Sequence, residues 1–146
     1  MSTSSDKQLF WDNPHYTALY KQADKFTGTF AKLMLEQAGF AEDAKTLEKL
    51  IVLDTACGPG IVSNYVVQAL DNNAEALGTD PRDKLDLTCA DFFDSMVDIT
   101  SKRIKADGWP AKAIKADAQD TGLPDGKYTH VFCNVSPMHI PVLGLT

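Results

Sequence analysis

The 146-residue sequence predicts an α/β fold on a parallel sheet, and three observations carry that prediction. An apolar run, Leu50–Leu53, delivers Asp54 and then a loop with glycines at 58 and 60 before residues of helical spacing. Apolar runs of four to eight residues bounded by Gly or Pro read as buried parallel strands. Further strand-like runs alternate with helix-like ones, the pattern of right-handed βαβ units. Lastly, Asp54, Asp91 and Asp117 each end a strand-like run, 37 and 26 positions apart. The carboxyl ends of parallel strands share one rim, where ligands of open α/β sheets bind.

Taken in order, Met1–Asp12 lacks the apolar core of a signal peptide and reads as a flexible tail. Asn13-Pro14 is a helix start, with Asn capping and Pro at the first helical position. Tyr16, Leu19, Tyr20, Ala23, Phe26, Phe30, Leu33 and Met34 then predict one apolar face over some six turns, with a possible break near Gly28 and an end at Gly39. A short helix, Glu42–Lys49, leads into the first strand. Together, 13–49 form an expected helical cap on a core at 50–146, all within a single domain. Ile61, Tyr65, Val66, Ala69 and Leu70 mark the helix after the glycine loop. A polar, turn-rich stretch, 71–86, precedes a second strand at Leu87–Ala90. Ser95–Asp107 is helical and stopped by Gly108 and Pro110, with Trp109 as a turn anchor. Ala111–Ala116 and Tyr128–Val135 are the third and fourth strands.

Composition excludes several functions. A formal charge of −6 disfavours a nucleic-acid partner, because phosphate binding needs clustered Lys and Arg. No apolar stretch approaches ~20 residues, so no membrane span is expected. Cys57, Cys89 and Cys133 are widely spaced and lack metal-ligand patterns, so they read as small hydrophobes in a reduced, cytoplasmic protein, with no metal site.

The glycine loop has no G-x-x-x-x-G-K-[ST] sequence, which excludes a P-loop. Its frame from Gly58 gives Gly58, Gly60 and Ser63, an imperfect dinucleotide fingerprint. A rim of carboxylates suits a cofactor carrying a sulfonium and an ammonium and repels a pyrophosphate. Charge therefore favours S-adenosylmethionine (SAM) over a nicotinamide dinucleotide, and an NAD-dependent oxidoreductase is the weaker alternative. Glycines 58 and 60 are expected to let cofactor approach the backbone. Neither is expected in the core, so bulky substitution there is expected to spare the fold.

Asp54-x-Ala56-x-Gly58-x-Gly60 resembles the cofactor loop of class I SAM-dependent methyltransferases, the fungal small-molecule type with "acid-x-Ala-Cys-Gly-x-Gly" most of all. The family usually has Gly where this chain has Ala56. The resemblance spans about residues 50–135 and implies strand order 3-2-1-4, the first part of a seven-stranded sheet without its C-terminal strands. It implies that Asp54, Ala56, Gly58 and Gly60 line the methionine half of SAM. Asp91, with Met96 in the following helix, falls at the ribose position, with Asp80 as the rival acid. Asp117-Ala118 matches the adenine clamp, and Asn134 sits where a backbone carbonyl holds the SAM amino group. Tyr16 and Tyr20, with Trp11, form either a lid over the cofactor or helix packing. His139 is either a general base or a histidine packed under the Pro-rich end; His15 and His130 read as structural or exposed. The implied reaction is methyl transfer to a small-molecule acceptor, with a non-catalytic SAM-binding or partner-binding fragment as the alternative. Because the family continues beyond the fourth strand, SAM binding is expected to outlast catalysis, and a second copy or a complementing polypeptide is expected on the fourth-strand edge.

Overall fold

A computed structural model describes residues 13–74 and 80–134. Helix α1 (Pro14–Gln37) and the short helix α2 (Phe40–Thr46) precede strand β1 (Leu50–Thr55). Helix α3 (Ile61–Asn72), a 3-10 turn (Pro81–Lys84), strand β2 (Leu85–Asp91), helix α4 (Asp94–Asp107), strand β3 (Ala111–Lys115) and strand β4 (His130–Phe132) follow. The four strands are parallel, in the order β3-β2-β1-β4. That is the order the methyltransferase resemblance implied.

The chain steps from β1 to β2 to β3 in one direction, so right-handed crossovers put α3 and α4 on the same face of the sheet. The main core lies between that face and the helices. Leu50 and Val52 of β1, Leu85, Leu87 and Cys89 of β2 and Phe132 of β4 meet Ala31, Leu35, Phe40, Val66 and Leu70 of α1–α3. Cys57 and Cys89 are buried and unbridged in this core, as small hydrophobes.

Several elements differ from the sequence-based expectation. Strand β2 begins at Leu85, because Leu50 and Ile51 of β1 pair with Leu85 and Asp86 and draw polar residues into the ladder. Helix α2 starts earlier, at Phe40, because Gly39 turns the chain through a left-handed conformation (φ 67°) and buries the Phe40 ring. Strand β4 is shorter: at Thr129 the Ile51 amide donates to the hydroxyl (3.0 Å) instead of a strand carbonyl, while the Thr129 amide still donates to the Ile51 carbonyl (2.8 Å). Val135, at the end of its expected span, lies outside the described residues.

Helix α1 is capped as expected, the Asn13 side chain accepting from the His15 and Tyr16 amides. It is not broken at Gly28. That glycine is buried where an added Cβ would stand 2.8 Å from the Tyr65 hydroxyl, so it admits α3 rather than bending α1. Nor does α1 have a single apolar face. Gly28, Ala31 and Leu35 face the core, whereas Phe26, Phe30 and Leu33 are 67%, 57% and 48% exposed.

Candidate functional site

The site grows from the β1–α3 loop. Ala56, Gly58 and Gly60 all have positive φ (53°, 54° and 86°), which turns the chain sharply from strand to helix. Left-handed backbone is costly for a residue with a Cβ, so a glycine suits position 56 better than the alanine present. The loop is cross-braced to β2 and α4. The Cys57 amide donates to the Ala90 carbonyl (2.9 Å), and the Gly58 amide to Asp91 Oδ2 (2.8 Å). The Thr100 hydroxyl donates to the Gly58 carbonyl (2.8 Å). Behind Gly60 stand the Trp109 ring and the Thr100 methyl, 3.4–3.6 Å from where a Cβ would lie. Gly60 is therefore buried against the core, which corrects the expectation for that position. At Gly58 an added Cβ would meet nothing within 4 Å.

The three strand-end acids share a rim but not a level. Asp54 pairs with Cys89, two residues before Asp91, and Asp91 pairs with Lys115, two residues before Asp117, so they rise as a staircase. Asp54 is the lowest and only 1% exposed. Its Oδ2 accepts from both the amide (3.1 Å) and the hydroxyl (2.6 Å) of Ser63. Ser63, the poor third position of a dinucleotide fingerprint, is thus the partner of the buried acid. Burial pushes the Asp54 carboxyl up to about 7, the Ser63 bonds oppose that rise, and the charge of Asp91 adds to it. Asp91 is also buried, with Oδ2 on the Gly58 amide and Oδ1 on the Phe93 amide (3.0 Å). A carboxylate offers about four lone-pair sites, so Asp91 retains capacity to accept from a ligand. Asp117 is exposed; its Oδ1 accepts from the Gln119 amide (2.9 Å). The neighbouring Ala116 amide donates to the Asp91 carbonyl (3.0 Å), and Ala118 is half-buried.

A cleft of about 170 Å³ opens above the loop, lined by Ala23 and Thr27 of α1, by Asp54, Ala56, Gly58, Pro59 and Val62, and by Asn134. Ligand pockets commonly span about 300–1,000 Å³, so this cleft takes one end of a ligand. The Asn134 Nδ2 donates to the Thr27 carbonyl (3.1 Å), closing the cleft between β4 and α1. A larger cavity, about 420 Å³, lies between α1, α2 and α3 around Leu35, Phe40 and Tyr65 and meets none of the rim acids.

Other expected site residues are placed elsewhere. Tyr16 and Tyr20 do not line the cleft; they pack α1 on α4. The Lys102 ammonium donates to the Tyr16 hydroxyl (2.8 Å), and the Arg103 guanidinium lies 4.2 Å from the Tyr20 ring centroid. Cation–aromatic contacts, the buried Arg103 on Tyr20 and Lys102 on Tyr16, hold these rings on the helix. Met96 packs with Ile99 and Ala106 toward Tyr16 and Leu19. Asp80 caps the 3-10 turn at the amino end of β2, its Oδ1 accepting from the Arg82 amide (3.0 Å), at the far end of the strand from Asp91. His130 is structural: its Nε2 meets Asp43 Oδ2 (2.7 Å), and its ring lies edge-on to Phe40. His139 and Trp11 lie outside the described residues. Thr100, Trp109 and Thr27 are participants that sequence reasoning missed. The helical spacing that places Thr100 beside the loop depends on where β2 ends.

The methyltransferase domain family matches residues 52–144, more than half of the chain. The chain belongs to the class I SAM-dependent methyltransferase family. It is 40% identical over 114 residues to the acetylaranotin bis-thiomethyltransferase of Aspergillus terreus, which covers 77% of this chain and 38% of that protein. It is 37% identical over 114 residues to methyltransferase tpcH of Aspergillus fumigatus (77% of this chain, 37% of that one). Methyltransferase afvD of Aspergillus flavus is 32% identical over 133 residues (90% and 48%). The chain therefore spans less than half the length of these relatives. The fold matches the plantazolicin methyltransferase BamL, solved with a triazolic desmethylPZN analog and S-adenosylhomocysteine (SAH). There the TM-score is 0.51 at 20% identity, over 88% of this chain and 45% of BamL. Among the described residues no helix is long and apolar enough to cross a membrane.

Proposed function

We propose that this chain binds SAM on the β1–α3 loop and serves methyl transfer to a small-molecule acceptor. The observation that supports this reading most is the loop itself: Gly58 is held by Asp91 and Thr100 in a left-handed turn, with open space where a Cβ would project. Such a cradle takes a ligand against bare backbone. Asp91 would hold the ribose hydroxyls, a charge-assisted pair, and Asp117-Ala118 the adenine. Asp54, Ala56, Gly58 and Gly60 would flank the methionine end, with the Asn134 carbonyl on its amino group. When bound, SAM supplies a sulfonium-activated methyl group, whose C–S electron pair passes to sulfur as an acceptor lone pair forms the new bond. The chain's own part is alignment and exclusion of water, with His139 as the candidate base for an acceptor that must lose a proton. The thiomethyltransferase relative adds sulfur to oxygen, nitrogen and carbon as candidate acceptor atoms.

Isothermal titration against SAM, SAH and NAD tests the binding. Saturable binding of SAM and SAH, without NAD, is expected; NAD binding in their place overturns it. Radiolabelled methyl transfer to a small acceptor separates an enzyme from a non-catalytic SAM-binding chain. Strand β4 favours a further reading. Among the described residues it pairs with β1, and it leaves Val131 57% exposed, so a second copy or a complementing polypeptide would add a strand there. Sedimentation as a monomer at every concentration, with ordinary turnover, would refute that addition.

A further inference from the structure

The cleft above the glycine loop has one wall on α1. Ala23 and Thr27 line it. Phe26 and Phe30 follow at three-residue steps from these two, the spacing of neighbours on one helix surface. Both rings are more than half exposed. Monomeric proteins seldom leave large apolar side chains clustered in water without use. Between Lys25 and Lys32, Phe26-Thr27-Gly28-Thr29-Phe30-Ala31 carries no charge, so the stretch of the lip that bears both rings is neutral. On the loop side Ala56, Pro59, Ile61 and Val62 surround the buried Asp54.

We infer that Phe26 and Phe30 form an acceptor platform, selecting an uncharged, planar, apolar substrate whose methyl-accepting atom enters the cleft while its body lies across the two rings. The inference rests on the reading of the loop as a SAM site. Stacking on an aromatic face favours flat apolar bodies. A neutral lip gives a carboxylate or phosphate no partner and would leave it desolvated beside Asp54. Leu33 belongs to the same exposed stripe but lies two turns beyond Phe26, away from the cleft. A platform for a small molecule therefore needs Phe26 and Phe30 and not Leu33, whereas a surface that docks another helix needs all three.

The test is a titration with 2-naphthol, and with 2-naphthalenesulfonate as the anionic counterpart, with and without saturating SAH. Wild type is expected to bind naphthol saturably and the sulfonate at least tenfold more weakly. Phe26→Ser/Phe30→Ser is expected to weaken naphthol about tenfold, two lost aromatic contacts. Leu33→Ser is expected to leave naphthol binding within about twofold of wild type, and both variants to keep SAH affinity within the same margin. All three side chains are exposed, so folding is not at stake. Naphthol binding that is absent, unaffected by the double substitution, or lost equally in Leu33→Ser overturns the platform. Failure of SAH to bind wild type overturns the SAM site instead, and the naphthol comparison without SAH still decides the platform.

Discussion

The two walls of the cleft are built by opposite means. On the β2 side the loop is held by directional bonds: Gly58 to Asp91, Cys57 to Ala90, Thr100 to Gly58, Ser63 to Asp54. On the α1 side the wall is Ala23 and Thr27, with Phe26 and Phe30 beyond them, neutral and largely exposed. A polar network satisfied within the chain fixes geometry before any ligand arrives, because each buried donor and acceptor already has its partner. An apolar surface fixes little on its own and gains only when something covers it. On the proposed reading the braced wall serves the invariant partner, the cofactor, and the neutral wall the variable one.

The sharpest way to break the braced wall is at Gly60. Its φ of 86° and the Trp109 ring behind it oppose a β-branched residue twice over. Gly60→Val is expected to cost about 2–3 kcal/mol of stability and to abolish SAM binding. Gly58→Ala, whose Cβ meets open space, is expected to cost about 1 kcal/mol by backbone strain alone while still weakening SAM strongly. Chemical denaturation with titration calorimetry reads both. Equal stability loss in the two variants would show that the loop has no distinct ligand side.

A smaller effect comes from the acid beneath the loop. The folded-state value of Asp54, about 7, lies above its ordinary 3.8, so the folded protein holds a proton that the unfolded chain has released. The stabilisation is complete below about pH 4 and is lost as pH rises to about 7, a few kcal/mol at most. Asp54→Asn keeps the acceptor for Ser63 without the titration. The variant is expected to become more stable relative to wild type as pH rises from 4 to 7 and to run parallel to it above 7. A constant difference across that range, measured by urea denaturation, would show that Asp54 is charged in the folded state.

The smallest change is Ala56→Gly. Relief of left-handed strain at φ 53° outweighs the added freedom of the unfolded chain, for a gain of about 0.5–1 kcal/mol. Thermal denaturation checks the sign. A lower midpoint would mean that the alanine methyl contributes packing to the α1-side wall, and the contrast between the walls would then extend into the loop.

Much of the fold was legible because its causes are local. Leu50–Leu53 is apolar enough to be buried on both faces, the glycines allow the turn that follows, and Asn13-Pro14 caps a helix by itself. The alternation of such segments leads to a parallel sheet by the handedness of crossovers. The methyltransferase motif and the ligand rim were readable for the same reason. What only the tertiary structure decided is which of several similar residues is buried, and against what. Three aspartates of like appearance became a sealed acid on Ser63, a loop brace on Gly58 and an exposed terminal acid. Gly28 read as a helix breaker because its neighbour Tyr65 lies 37 positions away, and Phe26, Phe30 and Leu33 read as core because helical spacing marks an apolar stripe without saying what it faces. Spacing is a property of the chain, whereas burial is set by partners brought from elsewhere in it. For this protein the sequence determines the elements and their chemistry, and packing determines the separate role of each acid and each aromatic ring.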